Sequence, residues 1–163
     1  MFVVIEQILG SDRTPFLMRS AETRTIVSEG KECSVSPLDT IQRLYAGFAP
    51  ADLPAVLAGM APDIEWTEAE GYPYAGTFHG PQAIVDGVFI RLATEWEGYQ
   101  AVPDRYVSQG EEVIALGHYS GTYKATGKSF RAPFVHAWTV KGGRIVRFVQ
   151  YVDTVLVQRA LQP

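Results

Sequence analysis

The chain has a single cysteine, Cys33, among 163 residues, so it can form no internal disulfide and no multi-cysteine zinc site. It has no run of Lys or Arg. Its net charge of −4 and pI of about 5.3 argue against a nucleic-acid groove or a patch for anionic membranes. The three histidines, His79, His118 and His136, show neither an HxH nor an HExxH spacing, so no metal site is expected. The one glycine-rich stretch beside basic residues, Lys141–Gly142–Gly143–Arg144, reads as a hairpin and not as a phosphate loop. No Ser or Cys stands in a nucleophile context. The opening MFVVIEQILG is apolar for only a few residues, carries Glu6 and has no basic n-region, so it is too short for a membrane span or a signal peptide. There is no internal repeat and no low-complexity tract. These absences predict a soluble, cytoplasmic protein with no cofactor, no nucleic-acid partner and no membrane partner.

What is present is ring area. Aromatic residues make up 12% of the chain, with three Trp and eight each of Tyr and Phe, which implies a large core, a lined pocket, or both. Hydrophobic residues at 47% and charged residues at 20% are globular proportions. A chain of this length buries about 70% of its unfolded surface.

Residues 1–34 mix Ser, Thr, Arg and Glu without sustained period, apart from a possible strand at Phe2 to Ile5. They read as an extension, either weakly docked or an arm for a partner subunit, and residues 35–163 read as the domain. Ser36, Pro37 and Asp39 form a helix start, and Leu38, Ile41, Leu44, Tyr45 and Phe48 follow at helical spacing until Gly47 and Pro50. Asp52 starts a second helix, Leu53 to Met60, ended by Ala61–Pro62. Short strands are expected at Ile64 to Thr67 and Gly76 to His79, around the loop EAEGYPYA. Pro81 opens a third helix with Ile84, Val85, Val88, Phe89 and Leu92 on one face. Four strands then follow: 99–108, 112–123, 130–140 and 144–151, the last two joined by the Gly142–Gly143 hairpin. Asp153 caps a final helix, Thr154 to Leu161. Helices followed by a meander make an α+β protein, with helices on one face of a curved antiparallel sheet. The open end of such a cone is a natural small-molecule pocket.

From Ser36 onward this order resembles the NTF2-like superfamily, which includes the ketosteroid isomerases and the SnoaL-like polyketide cyclases. The resemblance rests on Asp52–Leu53 and Asp63–Ile64–Glu65–Trp66, on Tyr74–Ala75–Gly76 with Gly80–Pro81–Gln82–Ala83–Ile84, and on Gly143–Arg144–Ile145–Val146 with Tyr151–Val152–Asp153–Thr154. It implies a cone of three N-terminal helices packed on a curved, mostly antiparallel sheet of four to six strands. It also implies a small hydrophobic carbonyl compound as ligand, cofactor-independent isomerase, cyclase or hydrolase chemistry, and pairing through the outer sheet face into a homodimer. On that face lie Val135, Ala137 and Thr139. The alternative on the same scaffold is a non-catalytic ligand carrier or dimerisation module.

Strand alternation sets His136 in a row with Phe130, Ala132, Phe134, Trp138 and Val140, as a core histidine or a pocket donor. By the resemblance, His136 falls where ketosteroid isomerases carry a protonated oxyanion-hole aspartate. Glu68 falls near their general base, though a solvated loop acid fits its sequence context as well. Tyr45 lies within one residue of their oxyanion tyrosine. Asp153 reads as an N-cap, while related cyclases and epoxide hydrolases use acids on the later strands, so Asp153 and His136 form a candidate acid–base pair. Trp66, Tyr74, Phe89, Tyr119 and Trp138 are candidate pocket walls or plain core. His118 reads as a partly exposed sheet residue and His79 as a surface or capping residue.

Overall fold

A computed structural model describes residues 35–48 and 52–163. The expected extension 1–34, its Phe2 to Ile5 strand and the helix stop at Pro50 lie outside the described residues. Helix α1, Pro37–Phe48, begins with a reciprocal cap. The Ser36 hydroxyl accepts the Asp39 N–H at 3.1 Å and donates to Asp39 Oδ2 at 2.7 Å. Helix α2, Leu53–Ala58, is capped by Asp52, whose Oδ1 accepts the Ala55 N–H at 3.1 Å. It stops short of Met60, because strand β1, Met60–Glu68, already starts there. Pro62, expected to end the helix, instead sits inside β1, where the register against its neighbour shifts between Met60 and Glu65.

Strand β2, Gly76–His79, is followed by α3, Pro81–Ile84, a π-helical turn, Val85–Phe89, and α4, Ile90–Glu95. The expected single helix therefore carries one extra residue in its winding, and the Ile90 N–H reaches back to the Val85 carbonyl. Gly87 lies in that turn, where a Cβ would come within 2.2 Å of the Phe78 ring. Strands β3, Trp96–Gln109, β4, Glu112–Tyr123, β5, Lys128–Lys141, and β6, Arg144–Val152, form the meander, and α5, Thr154–Leu161, closes the chain.

All six strands join one sheet in the order β2-β1-β6-β5-β4-β3, antiparallel except for the parallel β1–β6 pair. That parallel pair brings the early strand β1 beside the last one. It could not be read from local pattern, because nothing in either segment specifies a partner so distant in the chain. The sheet bends where β3 changes register at Glu97/Gln100 and at Pro103/Arg105. Gly117 faces the second bulge, and a Cβ there would stand 2.2 Å from the Val102 carbonyl oxygen and 2.7 Å from the Phe134 ring. The α+β organisation is as expected. The inward row Phe130, Ala132, Phe134, His136, Trp138 and Val140 is buried throughout, and α1 packs across it through Ile41, Leu44 and Tyr45. Among the described residues no helix is long and apolar enough to cross a membrane.

Candidate active site

Glu68 ends β1 with its side chain turned inward, two residues after Trp66 on the same face, and is only 4% exposed. The Trp66 indole N–H donates to Glu68 Oε1 at 2.6 Å, while Oε2 is buried with no partner among the described residues. Burial raises the carboxyl pKa to about 7, against the opposing pull of the Trp66 hydrogen bond. Glu68 is therefore a buried acid and not the solvated loop acid that its sequence context also allowed.

His136 lies at the centre of β5, its ring stacked on Phe134 with 3.8 Å between centroids. The Tyr45 hydroxyl lies 2.5 Å from Nδ1 and the Tyr119 hydroxyl 2.5 Å from Nε2. Burial holds the imidazole pKa well below its ordinary value, so the ring is neutral, with one nitrogen donating and the other accepting. Gln150 of β6 is the register partner of His136. Its Nε2 donates to the Tyr119 hydroxyl at 2.9 Å, and its Oε1 accepts the Ala69 N–H at 3.0 Å. Glu68 follows directly on the Thr67–Val149 pair of β1 and β6, so Glu68, Gln150 and His136 occupy three adjoining strands. An amide thus stands between the acid and the imidazole, and His136 bonds two tyrosines instead of a carboxylate.

The candidate pair of Asp153 and His136 does not form. The chain leaves β6 at Val152, and Asp153 is exposed, with Oδ1 accepting the Leu156 N–H at 3.3 Å as the cap of α5. The cap reading of Asp153 is the one its geometry supports. Tyr74 is also turned to another task. Its hydroxyl donates to Glu95 at 2.9 Å and accepts the Trp96 indole N–H at 2.7 Å, under the Arg91 guanidinium, so it ties the β1–β2 loop to the junction of α4 and β3. The neighbouring Tyr72 is the loop residue that joins the polar cluster, its hydroxyl 2.7 Å from that of Tyr99. Burial raises the hydroxyl pKa of Tyr72, Tyr99 and Tyr119, and the nearby Glu68 charge raises each further.

Of the other expected wall residues, Trp66 meets Trp138 at 5.5 Å and Phe89 at 5.6 Å between ring centroids, with Phe148 at 4.0 Å. Inside the cone these rings pack on one another. Two clefts lie elsewhere. One, of about 730 Å³, runs along α1 and α2 to Gly142 and Gly143; the other, of about 440 Å³, lies between β5 and α5. Neither is lined by Glu68 or His136. His118 is half-buried on the outer sheet face, 3.2 Å from Asp104, and His79 is exposed at the end of β2.

Sequence reasoning missed Gln150, Tyr72 and Tyr99. Gln150 carries the same signal as His136, a polar residue in an apolar inward row between Phe148 and Val152. Tyr72 sits in a loop without period, and Tyr99 lies within a β3 register shift that breaks the alternation.

The fold and this cluster can be set beside known proteins. Residues 41–148 match the family model described as a SnoaL-like domain. An NTF2-like protein from Burkholderia thailandensis is 46% identical, with a TM-score of 0.76 over 78% of this chain and 98% of that one. A second, from Burkholderia pseudomallei, is 34% identical, with a TM-score of 0.71 over 78% and 98%. TerC, co-crystallised with polyporic acid, is 31% identical, with a TM-score of 0.71 over 78% of this chain and all of that one. No curated protein matches. A matched stretch running from the first turns of α1 into β6 takes in the strands of Glu68 and His136 and most of the helices over them, and the chain belongs to the SnoaL-like family of NTF2-like proteins.

Proposed function

We propose that the protein binds a small, largely hydrophobic carbonyl compound inside the cone and moves a proton on it without a cofactor, as an isomerase, cyclase or hydrolase. Glu68 takes the proton α to the carbonyl, and Tyr45, held by His136, stabilises the enolate oxygen. The observation that carries this reading is the buried Glu68 carboxyl, with one oxygen unpartnered and a pKa of about 7. A pKa near the working pH is what a general base requires. Burying an unsatisfied carboxyl is unfavourable unless something uses it. TerC, whose whole length matches 78% of this chain, was co-crystallised with polyporic acid, which supports a small-molecule ligand here. Ligand entry requires the Trp66, Phe89 and Trp138 rings to part, a shift of population that binding itself drives.

The test is deuterium exchange at the α-carbon of a panel of cyclic ketones, followed by proton NMR at pH 8. Wild-type protein is expected to accelerate exchange for at least one of them, and Glu68→Gln to lose about 10²–10⁴-fold of that acceleration. Equal rates with and without protein across the panel reject the catalytic reading.

A second reading, a binding module without catalysis, is favoured by the close ring packing and by His136 having both nitrogens bonded to tyrosines and none to a carboxylate. It is the better account if ligands bind without exchange and Glu68→Gln leaves their affinity unchanged.

The outer sheet face supports pairing into a homodimer. Ile114 and Leu116 of β4, Val135 and Ala137 of β5, and Val149 and Tyr151 of β6 are neighbours there by register, with Tyr151 60% exposed. The Arg147–Glu65 pair, at 3.1 Å, stands at the edge of this apolar surface.

A further inference from the structure

Glu68 Oε2 is a buried acceptor with no donor among the described residues. A surplus of the opposite kind lies in the tyrosine pair of the same polar cluster. The hydroxyls of Tyr72 and Tyr99 stand 2.7 Å apart and make no other hydrogen bond among the described residues. One donates to the other, so whichever way the bond runs, one of the two hydrogens is left without an acceptor. Glu68 and Tyr72 are each only 4% exposed, so bulk solvent does not make good either shortfall. The two shortfalls are neighbours. Glu68 is followed by Ala69, whose N–H holds Gln150, and Gln150 in turn holds the Tyr119 hydroxyl. The Tyr119 ring lies against both members of the pair, with centroids 6.2 Å from Tyr72 and 5.4 Å from Tyr99. The Glu68 charge raises the hydroxyl pKa of both, so it stands within electrostatic reach of them. The group that satisfies both must accept one hydrogen and donate one. A carbonyl or ether oxygen only accepts and an ammonium only donates, whereas a hydroxyl does both.

We propose that the ligand carries a hydroxyl group, phenolic or enolic, that lies between Glu68 Oε2 and the Tyr72–Tyr99 pair, donating its hydrogen to the carboxylate and accepting the spare tyrosine hydrogen. This rests on the cone being the ligand site, as proposed above, and narrows the substrate class from carbonyl compounds to those that also carry a hydroxyl. Tyr72 and Tyr99 are then specificity residues, which read the hydroxyl and take no part in the proton transfer. A carboxylate oxygen offers two lone-pair sites, so Oε2 holds the hydroxyl at one and receives the α proton at the other. The selectivity follows from burial. A ligand without the hydroxyl leaves both the carboxylate oxygen and the tyrosine hydrogen unpaired, and a site built to hydrogen-bond a hydroxyl rejects the analogue lacking it far more strongly than an apolar wall rejects a missing methylene. The rings of Tyr72, Tyr99 and Tyr119 gathered at this place suit a hydroxyl borne on a flat ring.

The test is titration of the intact chain with 2-naphthol, a flat phenol, and with naphthalene, which has the same rings and no hydroxyl. At pH 8 2-naphthol is expected to bind about tenfold more tightly. Its advantage is expected to shrink as the pH is lowered from 8 to 6, because protonation of Glu68 takes away the carboxylate acceptor. The titratable groups facing Glu68 are Tyr72 of the β1–β2 loop, Tyr99 of β3 and Tyr119 of β4, and burial keeps all three neutral across that range. Beyond Gln150, His136 is held neutral as well. Removing both tyrosine hydroxyls together, as Tyr72→Phe with Tyr99→Phe, is expected to weaken 2-naphthol about tenfold and leave naphthalene unchanged. Equal affinities in the wild type, the result expected if a fixed water satisfies Glu68 and the pair, overturn the proposal and leave the cone as the ligand site. An advantage that does not change with pH, or that survives the double variant, places the hydroxyl elsewhere and overturns it too. Failure of both compounds to bind up to their solubility overturns the cone reading and this one together. The wild-type titrations decide the matter even if the double variant does not fold.

Discussion

Glu68 and Asp153 differ by burial and not by chemistry. Asp153 lies in solvent and caps a helix, whereas Glu68 lies under the sheet with its carboxyl pKa raised from 4.5 to about 7. A raised carboxyl pKa means that the folded state binds the Glu68 proton more tightly than the unfolded state does. Stability from this group is therefore complete below about pH 4.5 and falls as pH rises to about 7, by roughly 3 kcal/mol. Thermal unfolding scans from pH 5 to 8 are expected to show Tm declining in wild type more than in Glu68→Gln, with the variant more stable at pH 8; parallel curves would contradict this. For Asp153→Ala, urea unfolding is expected to give a loss of about 1 kcal/mol of stability, with α-proton exchange unaltered. A loss of exchange would return Asp153 to the site. At this scale alternation placed His136 on the inner face, and the same alternation marks Gln150. What alternation cannot supply is the partner of each ring nitrogen, because those tyrosines arrive from α1 and β4.

The helix starts of α1, α2 and α5 follow from three local signals, Ser36–Pro37–Asp39, Asp52 and Asp153, because a cap acts within one turn. The π-helical turn and the β3 bulges do not follow from local signals, since both answer to a tertiary neighbour. The Phe78 ring occupies the place a Cβ would take at Gly87, and the Val102 carbonyl the place it would take at Gly117. Gly117→Ala is the sharper test, because its obstacle is backbone 2.2 Å from the added carbon. It is expected to cost about 1–3 kcal/mol by urea unfolding, and because Phe134 is then pushed against His136, to shift the His136 NMR signals. An unchanged unfolding midpoint would show that the bulge yields freely.

At the scale of the whole sheet there are two faces with apolar residues, and the described helices lie on only one. The inner face is covered by α1 and its neighbours, while Leu116, Val135, Ala137, Val149 and Tyr151 form the outer face. Light scattering at 100 micromolar, about that order of concentration being ample for a micromolar pair, is expected to give a dimer, and Val149→Asp a monomer. A wild-type monomer would reject the pairing. The sequence by itself determined the α+β class, the meander, the capped helix starts and the inward row through His136, because capping and strand alternation act over a few residues. Tertiary structure alone decided that β1 lies parallel to β6, that Gln150 stands between Glu68 and His136, and that aromatic rings pack on one another inside the cone. These depend on segments some eighty residues apart meeting face to face, and the energy of such a meeting resides in neither segment alone.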